Sequence, residues 1–269
     1  MSHPRPTPPV VLAALLVLAG ALALPSCKPV SAPAPRTSPP AQPALMSWRV
    51  ANAHLEDIFE TIPNSSIDAF RQDIPEEERA QVNASHGEAG IKEGNAYVYG
   101  EPSPAASDRI LRRLALGPDD VLYDLGCGRG FFLMQALLTT PVGKAVGVEL
   151  AASRVAVGQL ARQKLLERGL LAPGKELSLH GQDMAQTNLD EATVVFMDSV
   201  FFSDQLLNAV ARHMAQASRL RAVVMIVKGL PPNPWFELEG TERLKMSWSP
   251  KYGSDVLFYR RTAAPPEGP

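Results

Sequence analysis

The middle of the chain holds acids and glycines spaced as in a turn that lets backbone approach a ligand. Asp124-Leu-Gly126-Cys-Gly128-Arg-Gly130 follows a short run of strand character and opens onto an apolar segment at Phe131. Glycines at such a junction let the backbone turn sharply and approach a ligand closely. A dinucleotide fingerprint would need glycine or alanine at 131, where Phe131 stands. Asp124 would repel a pyrophosphate but suits a cation. The pair of features excludes a nicotinamide-dependent reductase and points to S-adenosylmethionine, whose methionine end is cationic. Glu149, closing Gly147-Val148-Glu149, is placed to accept hydrogen bonds from both ribose hydroxyls. In Gly181-Gln182-Asp183-Met184, Asp183 would accept from the adenine amine while Met184 packs on the ring. Asp198-Ser199 ends another strand, on the rim where reacting groups sit. Asp198 there would orient the nucleophile or take its proton.

The elements around these residues must put them at one end of a sheet. Val121–Asp124, Ala145–Glu149, Leu177–His180, Thr193–Asp198 and Ala222–Lys228 are short and apolar, as parallel strands buried on both faces are. Helices are expected between them, over Phe131–Leu138, Ala152–Arg168 and from a Ser203 cap to about Gln216, with a first core helix capped by Ser103 and started by Pro104. Phe236–Trp248 and Val256–Arg260 follow with no helix between them and read as an antiparallel hairpin. The expected fold is α/β, a doubly wound Rossmann-like sheet with a C-terminal antiparallel hairpin, over residues 99–262. Ahead of it, residues 46–98 read as a small helical appendage. In it Leu55, Ile58, Phe59 and Ile62 share one helical face, stopped by Pro63. A second helix is expected over Ile67–Ile74, and Glu76 to Arg79 read as a solvated face.

The N-terminus has another character. Val10 to Leu24 is an unbroken apolar run, too short for the ~20 residues of a membrane span and suited to a signal-peptide core. It ends in Leu24-Pro25-Ser26-Cys27, which resembles a bacterial lipobox; that resemblance implies residues 1–27 as signal peptide with Cys27 lipidated. Residues 28–45, rich in proline, read as an extended tether, and residues 263–269 as a disordered tail. These readings imply a membrane-anchored lipoprotein of the cell envelope, or a cytoplasmic protein if the leader is not a functional signal. A net charge of −2 with no Lys/Arg-rich tail argues against a nucleic-acid partner. Cys127 reads as a small turn residue and Lys228 as a solvated lysine. His180 and His213 lack neighbours at metal-ligand spacing, so no metal is expected.

Several stretches, in order along about 160 residues, resemble the disruptor-of-telomeric-silencing type of histone-lysine methyltransferase. They are Val98-Tyr99-Gly100-Glu101, Asp124 to Gly130, Gly147-Val148-Glu149 and Phe201-Phe202; Ser247-Trp248-Ser249 and Phe258-Tyr259 fit that family's closing hairpin. The resemblance implies that Tyr99, Gly100 and Glu101 wrap the methionine end of the cofactor. It also implies a lysine channel lined by Phe202, Trp248, Phe258 and Tyr259, with Asp198, Ser199 and Tyr259 as the catalytic residues. Departures bear on the acceptor. Two asparagines after the fourth strand are replaced by Asp198 and Ser199, a Gly-Asp-Phe by Gln182-Asp183-Met184, and the family's basic nucleosome-contacting segment has no counterpart. The expected activity is S-adenosylmethionine-dependent methylation of a protein lysine other than a histone's. The alternatives are a small-molecule methyltransferase and a membrane-anchored cofactor-binding protein without turnover.

Overall fold

Alternate residues of the central strand Val121–Leu125 (β1) supply both halves of the core. Val121, Tyr123 and Leu125 pack to one side and Leu122 to the other, as the two-residue period of a strand dictates. In the computed structural model, which describes residues 45–68, 75–85 and 98–263, β1 lies in a seven-stranded sheet. The expected leader with Cys27, most of the Pro-rich tether, the later part of the second N-terminal helix and the last six residues lie outside the described residues.

The remaining strands are Lys144–Glu149 (β2), Glu176–Gly181 (β3), Val194–Asp198 (β4), Ala222–Ile226 (β5), Phe236–Met246 (β6) and Ser249–Arg261 (β7). Their order is β3-β2-β1-β4-β5-β7-β6, with the first five parallel, β7 antiparallel to β5, and β6 antiparallel to β7 at the edge. The order reverses between β1 and β4, and in such sheets ligands bind in the crevice beyond the strand ends at that point. Asp124, Glu149 and Asp198 all lie at or near those carboxyl ends.

Helices cover both faces. On one side lie Trp48–Glu60 (α1), Pro104–Leu114 (α3), Phe131–Thr139 (α4) and Ala152–Glu167 (α5), contributing Leu55, Ile110, Leu133 and Leu165 to one core cluster. On the other side Asp204–Gln216 (α6) contributes Leu207, Val210 and Met214 to the second cluster. α1 buries Leu55, Ile58 and Phe59, the face expected from their spacing, and ends before Pro63. Ser103 caps α3 by accepting from the Ala106 N–H at 3.2 Å, and Ser203 caps α6 through the Leu206 N–H at 3.0 Å. Glu76–Ser85 forms α2. Glu76 and Glu77 are exposed, but Glu78 is not purely solvated: it accepts from the N–H and the hydroxyl of Ser153 at 3.1 and 2.9 Å. A carboxylate on the first turn of α5 satisfies a donor that Ala151, with no side-chain cap, leaves open. Among the described residues no helix is long and apolar enough to cross a membrane.

The amino ends of the central strands are tied by Asp120. Its carboxylate accepts from Thr193 Oγ1 at 2.6 Å, from Arg221 Nε and Nη2 at 3.0 and 2.8 Å, and from the Gly117 N–H at 2.8 Å. Burial opposes its charge, but Arg221, Thr193 and Gly117 together bring its pKa down to about 2. A carboxyl whose folded pKa is depressed adds stability above its ordinary pKa and loses it as pH falls towards the folded value. Asp120→Asn is therefore expected to cost about 1–2 kcal/mol at neutral pH, after allowance for solvent screening. It should also flatten the dependence of the melting temperature on pH between about 4 and about 2, as followed by thermal denaturation.

Candidate active site

The glycine turn is built by the ends of two strands. The N–H groups of Gly126 and Cys127 both donate to the Val148 carbonyl at 2.8 and 3.0 Å, folding the chain back over β2. Gly126, at φ 97°, opens onto the pocket, where Phe202 and Met184 lie ahead of it. Gly128 and Gly130 turn the chain without lining the pocket. A side chain at Gly128 would enter the Tyr99 ring, and Gly130 precedes α4 in a left-handed conformation.

A second wall comes from the segment entering α3. Glu101 donates its N–H to Ser247 Oγ at 3.0 Å and accepts from the Ser247 N–H at 2.9 Å, and Pro102 bridges to Met246. This stitching seats the β6–β7 turn over the pocket and lays Trp248 directly on Gly100, where any side chain would collide with the indole. The Tyr99 phenol Oη donates to Glu101, and Arg129 holds the same carboxylate through two bonds of 2.7 and 2.8 Å.

Four carboxylates line the pocket, namely Glu101, Asp124, Glu149 and Asp198. Glu101 is paired with Arg129. Glu149 accepts from the N–H groups of Gly128 and Ala151, both at 2.9 Å, and has Arg154 Nη1 at 3.7 Å. Asp124 is different: it is buried, its Oδ1 meets no hydrogen-bond partner, and among the described residues no cation pairs with it. Burial, then the charges of Asp198, Glu149 and Glu101, push its pKa well above the ordinary value. Asp198 keeps some exposure towards the pocket, but the protein around it withholds enough water to push it up to about 7, against a weak opposing bond from the Val200 N–H at 3.5 Å. The rest of the wall is apolar and aromatic, with Phe132 stacked on Phe196 at 4.1 Å and Phe131, Phe201, Phe202 and Trp248 around them.

Most residues singled out in the sequence meet here: Tyr99, Gly100, Glu101, Asp124, Gly126, Glu149, Met184, Asp198, Phe202 and Trp248 all line one pocket. Four others do not. Asp183 turns away to cap the short helical turn Met184–Gln186, accepting from the Ala185 N–H at 2.9 Å, and Gln182 lines the pocket in its stead. Ser199 is fully buried, its hydroxyl directed at the carbonyls of Ile226 and Lys228 at 2.9 and 2.5 Å, so it braces the end of β5 and does not line the pocket. Phe258 and Tyr259 are displaced by register. β7 runs antiparallel to β5, and these residues pair with Val224 and Val223, two and three residues back from the strand end. Neither residue lines the pocket. Phe258 packs under the Arg113 guanidinium at 3.9 Å, and Tyr259 Oη accepts from the Leu230 N–H at 3.2 Å.

Arg154 is a pocket residue that sequence reasoning missed. It is buried, with its guanidinium 4.8 Å from the Tyr99 ring. An arginine on the apolar face of α5, among Val155, Val157, Gly158 and Ala161, was the available signal. Among the described residues no three His, Cys, Asp or Glu side chains gather as a metal site.

The model of the family described as histone methylation protein DOT1 matches residues 89–235. A protein-lysine N-methyltransferase of Saccharolobus islandicus (strain REY15A) is 30% identical over 108 residues, covering 38% of this chain and 62% of that protein. A histone-lysine N-methyltransferase of Dictyostelium discoideum, H3 lysine-79 specific, is 25% identical over 188 residues, covering 61% of this chain and 10% of that protein. The chain thus spans less than two thirds of either relative. Among solved structures, an RNA methyltransferase from Salinibacter ruber in complex with S-adenosylhomocysteine aligns at 23% identity and a TM-score of 0.47, over 62% of this chain and 96% of that one.

Glu149 ends β2 and lines the pocket, and we propose that it receives the ribose diol of the cofactor. Glu149→Ala removes charge-assisted acceptors worth about 1.5–3 kcal/mol each, so affinity for S-adenosylhomocysteine is expected to fall at least about tenfold. Titration calorimetry on the folded variant measures this, and an unchanged dissociation constant contradicts the assignment.

Proposed function

The chain belongs to the DOT1 family of histone methylation proteins and carries its S-adenosylmethionine-dependent methyltransferase domain, and on that premise we propose that it methylates the side-chain amine of a protein lysine outside the histones. The observation that carries the reading is the buried carboxyl of Asp124, with an unpartnered Oδ1, facing a pocket walled by aromatic rings. Such a group is expensive to bury alone and is compensated by a bound cation. S-adenosylmethionine fits that demand, and when bound it supplies an electrophilic methyl group on a positively charged sulfur. Asp124 and the stitched Tyr99–Glu101 segment would hold its methionine end, Glu149 its ribose, and Gln182 and Met184 its adenine.

The acceptor half is read from the wall. Phe201, Phe202 and Trp248 leave room for a slender group, and aromatic surroundings disfavour an ammonium ion relative to a neutral amine. Asp198, at the end of β4 on that side of the pocket, would take the proton that a lysine must lose before its lone pair can attack. Alignment of nucleophile and methyl carbon accounts for much of the rate in reactions of this kind, up to about 7–11 kcal/mol in well-oriented systems. A non-histone acceptor is favoured by the net charge of −2 and the absence of a nucleosome-contacting basic segment in the sequence.

Incubation with methyl-labelled cofactor and whole-cell extract tests the reading. Label on protein lysine supports it. Label confined to small molecules, or cofactor binding with no transfer, favours the alternative of a small-molecule enzyme or a binding protein. In the same assay, activity is expected to rise with pH to a plateau above about pH 7, as Asp198 ionises, and Asp198→Asn should lose that inflection. Stability should move the other way. A carboxyl whose folded pKa is raised costs stability as pH rises from about 4 to about 7, so Asp198→Asn should melt higher than wild type at about pH 8. A pH–rate profile unchanged in Asp198→Asn contradicts the assigned role.

A further inference from the structure

Arg129 stands inside the glycine turn, yet its side chain points away from the pocket and into the N-terminal part of the fold. Its Nε and Nη2 grip both oxygens of Glu101, and its Nη1 donates to the Ser65 carbonyl at 2.9 Å. The guanidinium carbon lies 4.2 Å from the Phe59 ring centroid and 5.0 Å from that of Phe131. Phe59 itself stacks on Phe131 at 5.8 Å, and Ser65 Oγ donates back to the Phe59 carbonyl at 2.5 Å. The backbone N–H of Arg129 donates to Tyr99 Oη at 3.4 Å, so that one residue meets the glycine turn, the Tyr99–Glu101 segment and α1 together.

Tyr99, Glu101, Arg129 and Phe131 lie within the matched family region, which begins at residue 89; Phe59 and Ser65 lie outside it. A planar guanidinium fits this task because it can fork onto a carboxylate, donate to a carbonyl at right angles and stack on aromatic faces at once. A lysine could meet only one of these demands at a time.

We propose that α1 and the turn after it are a working part of the cofactor site, acting through Arg129, which is a positioning residue that fixes Glu101 and Tyr99 against the pocket. The proposal rests on the reading of that pocket as the S-adenosylmethionine site. Without the clamp, Glu101 keeps its backbone stitches to Ser247 but its side chain loses both charged bonds and is free to swing into the pocket or out to solvent. The N-terminal helices are then required for cofactor affinity and not only for stability.

The test compares the full chain with Arg129→Met, Phe59→Leu and Leu55→Ala. Leu55 is a fully buried α1 residue that makes none of the clamp contacts, so Leu55→Ala reports what a loss of α1 packing does by itself. Arg129→Met is expected to weaken S-adenosylhomocysteine binding at least about tenfold, since it removes charge-assisted bonds that order Glu101. Phe59→Leu should weaken it by a smaller factor. Leu55→Ala should lower the melting temperature yet keep the dissociation constant within about threefold when measured well below the melt. A double-mutant cycle gives the readout that a merely structural role would not move: in a Glu101→Gln background, Arg129→Met should cost little further affinity, because the effect runs through Glu101. If Arg129→Met does not fold, Arg129→Lys, which keeps the charge and loses the fork, should still show reduced affinity. Wild-type affinity in the Arg129 variant, equal losses in Arg129→Met and Leu55→Ala, or fully additive losses in the cycle would each overturn the proposal while leaving the cofactor reading intact. Failure of the wild type to bind S-adenosylhomocysteine overturns both.

Discussion

Asp124 ends up buried because the sheet leaves it nowhere else to go. It is the penultimate residue of the central strand, flanked by β2 and β4, and its parity along β1 turns it to the side where α4 begins. There it meets the charges of Asp198, Glu149 and Glu101 and no hydrogen-bond partner for Oδ1. A carboxyl group so placed either keeps its proton or is matched by a cation from outside the chain. Arg129 and Arg154, the nearby arginines, are engaged with Glu101 and Glu149. The free energy stored in this arrangement is available to a ligand that brings positive charge, which links the fold to its choice of cofactor.

The pocket around Asp124 is made mainly by backbone. Val148 accepts the two N–H groups that turn the chain at Gly126 and Cys127, Ser247 fastens the segment leading into α3, and the β6–β7 turn sets Trp248 on Gly100. Each of these contacts joins parts of the chain far apart in sequence. The side chains that would touch a ligand are thereby held by elements that carry their own packing energy, with Leu122, Leu133 and Phe196 buried beneath them. Rigid placement of this kind lowers the ordering cost of binding and aligns reacting groups. At the opposite end of the strands Asp120, Thr193 and Arg221 serve stability, so the two ends of the sheet divide the tasks.

The parallel strands were legible because each is a short apolar run ending on a polar residue, and the glycine turn because left-handed backbone at Gly126, Gly128 and Gly130 leaves its mark in residue type. Strand ends placed Asp124, Glu149 and Asp198 correctly on the rim. The hairpin was legible as strands, but its register was not. The sequence signals two late strands without saying which residue of β7 faces which residue of β5, and Phe258 and Tyr259 consequently fall short of the pocket. Ser199 and Asp183 were misplaced for a related reason. A small polar residue at a strand end can face a ligand or satisfy backbone groups, and here both satisfy the backbone. The roles of Arg129 and Arg154 were illegible because they depend on contacts with Ser65, Phe59 and Tyr99, which only the folded chain assembles.

Proton release on cofactor binding tests the central claim most directly. If a cationic ligand compensates Asp124 and Asp198, both must ionise when it docks, and calorimetry in buffers of different ionisation enthalpy reads the protons set free. Near pH 6, where Asp198 with its pKa of about 7 is largely protonated and burial holds the Asp124 carboxyl up as well, binding of S-adenosylhomocysteine through its charged amino-acid end should release protons. The share from Asp198 should fade as pH rises through about 7, where that group loses its proton before the ligand arrives. Binding without release near pH 6, or with proton uptake, would contradict the account.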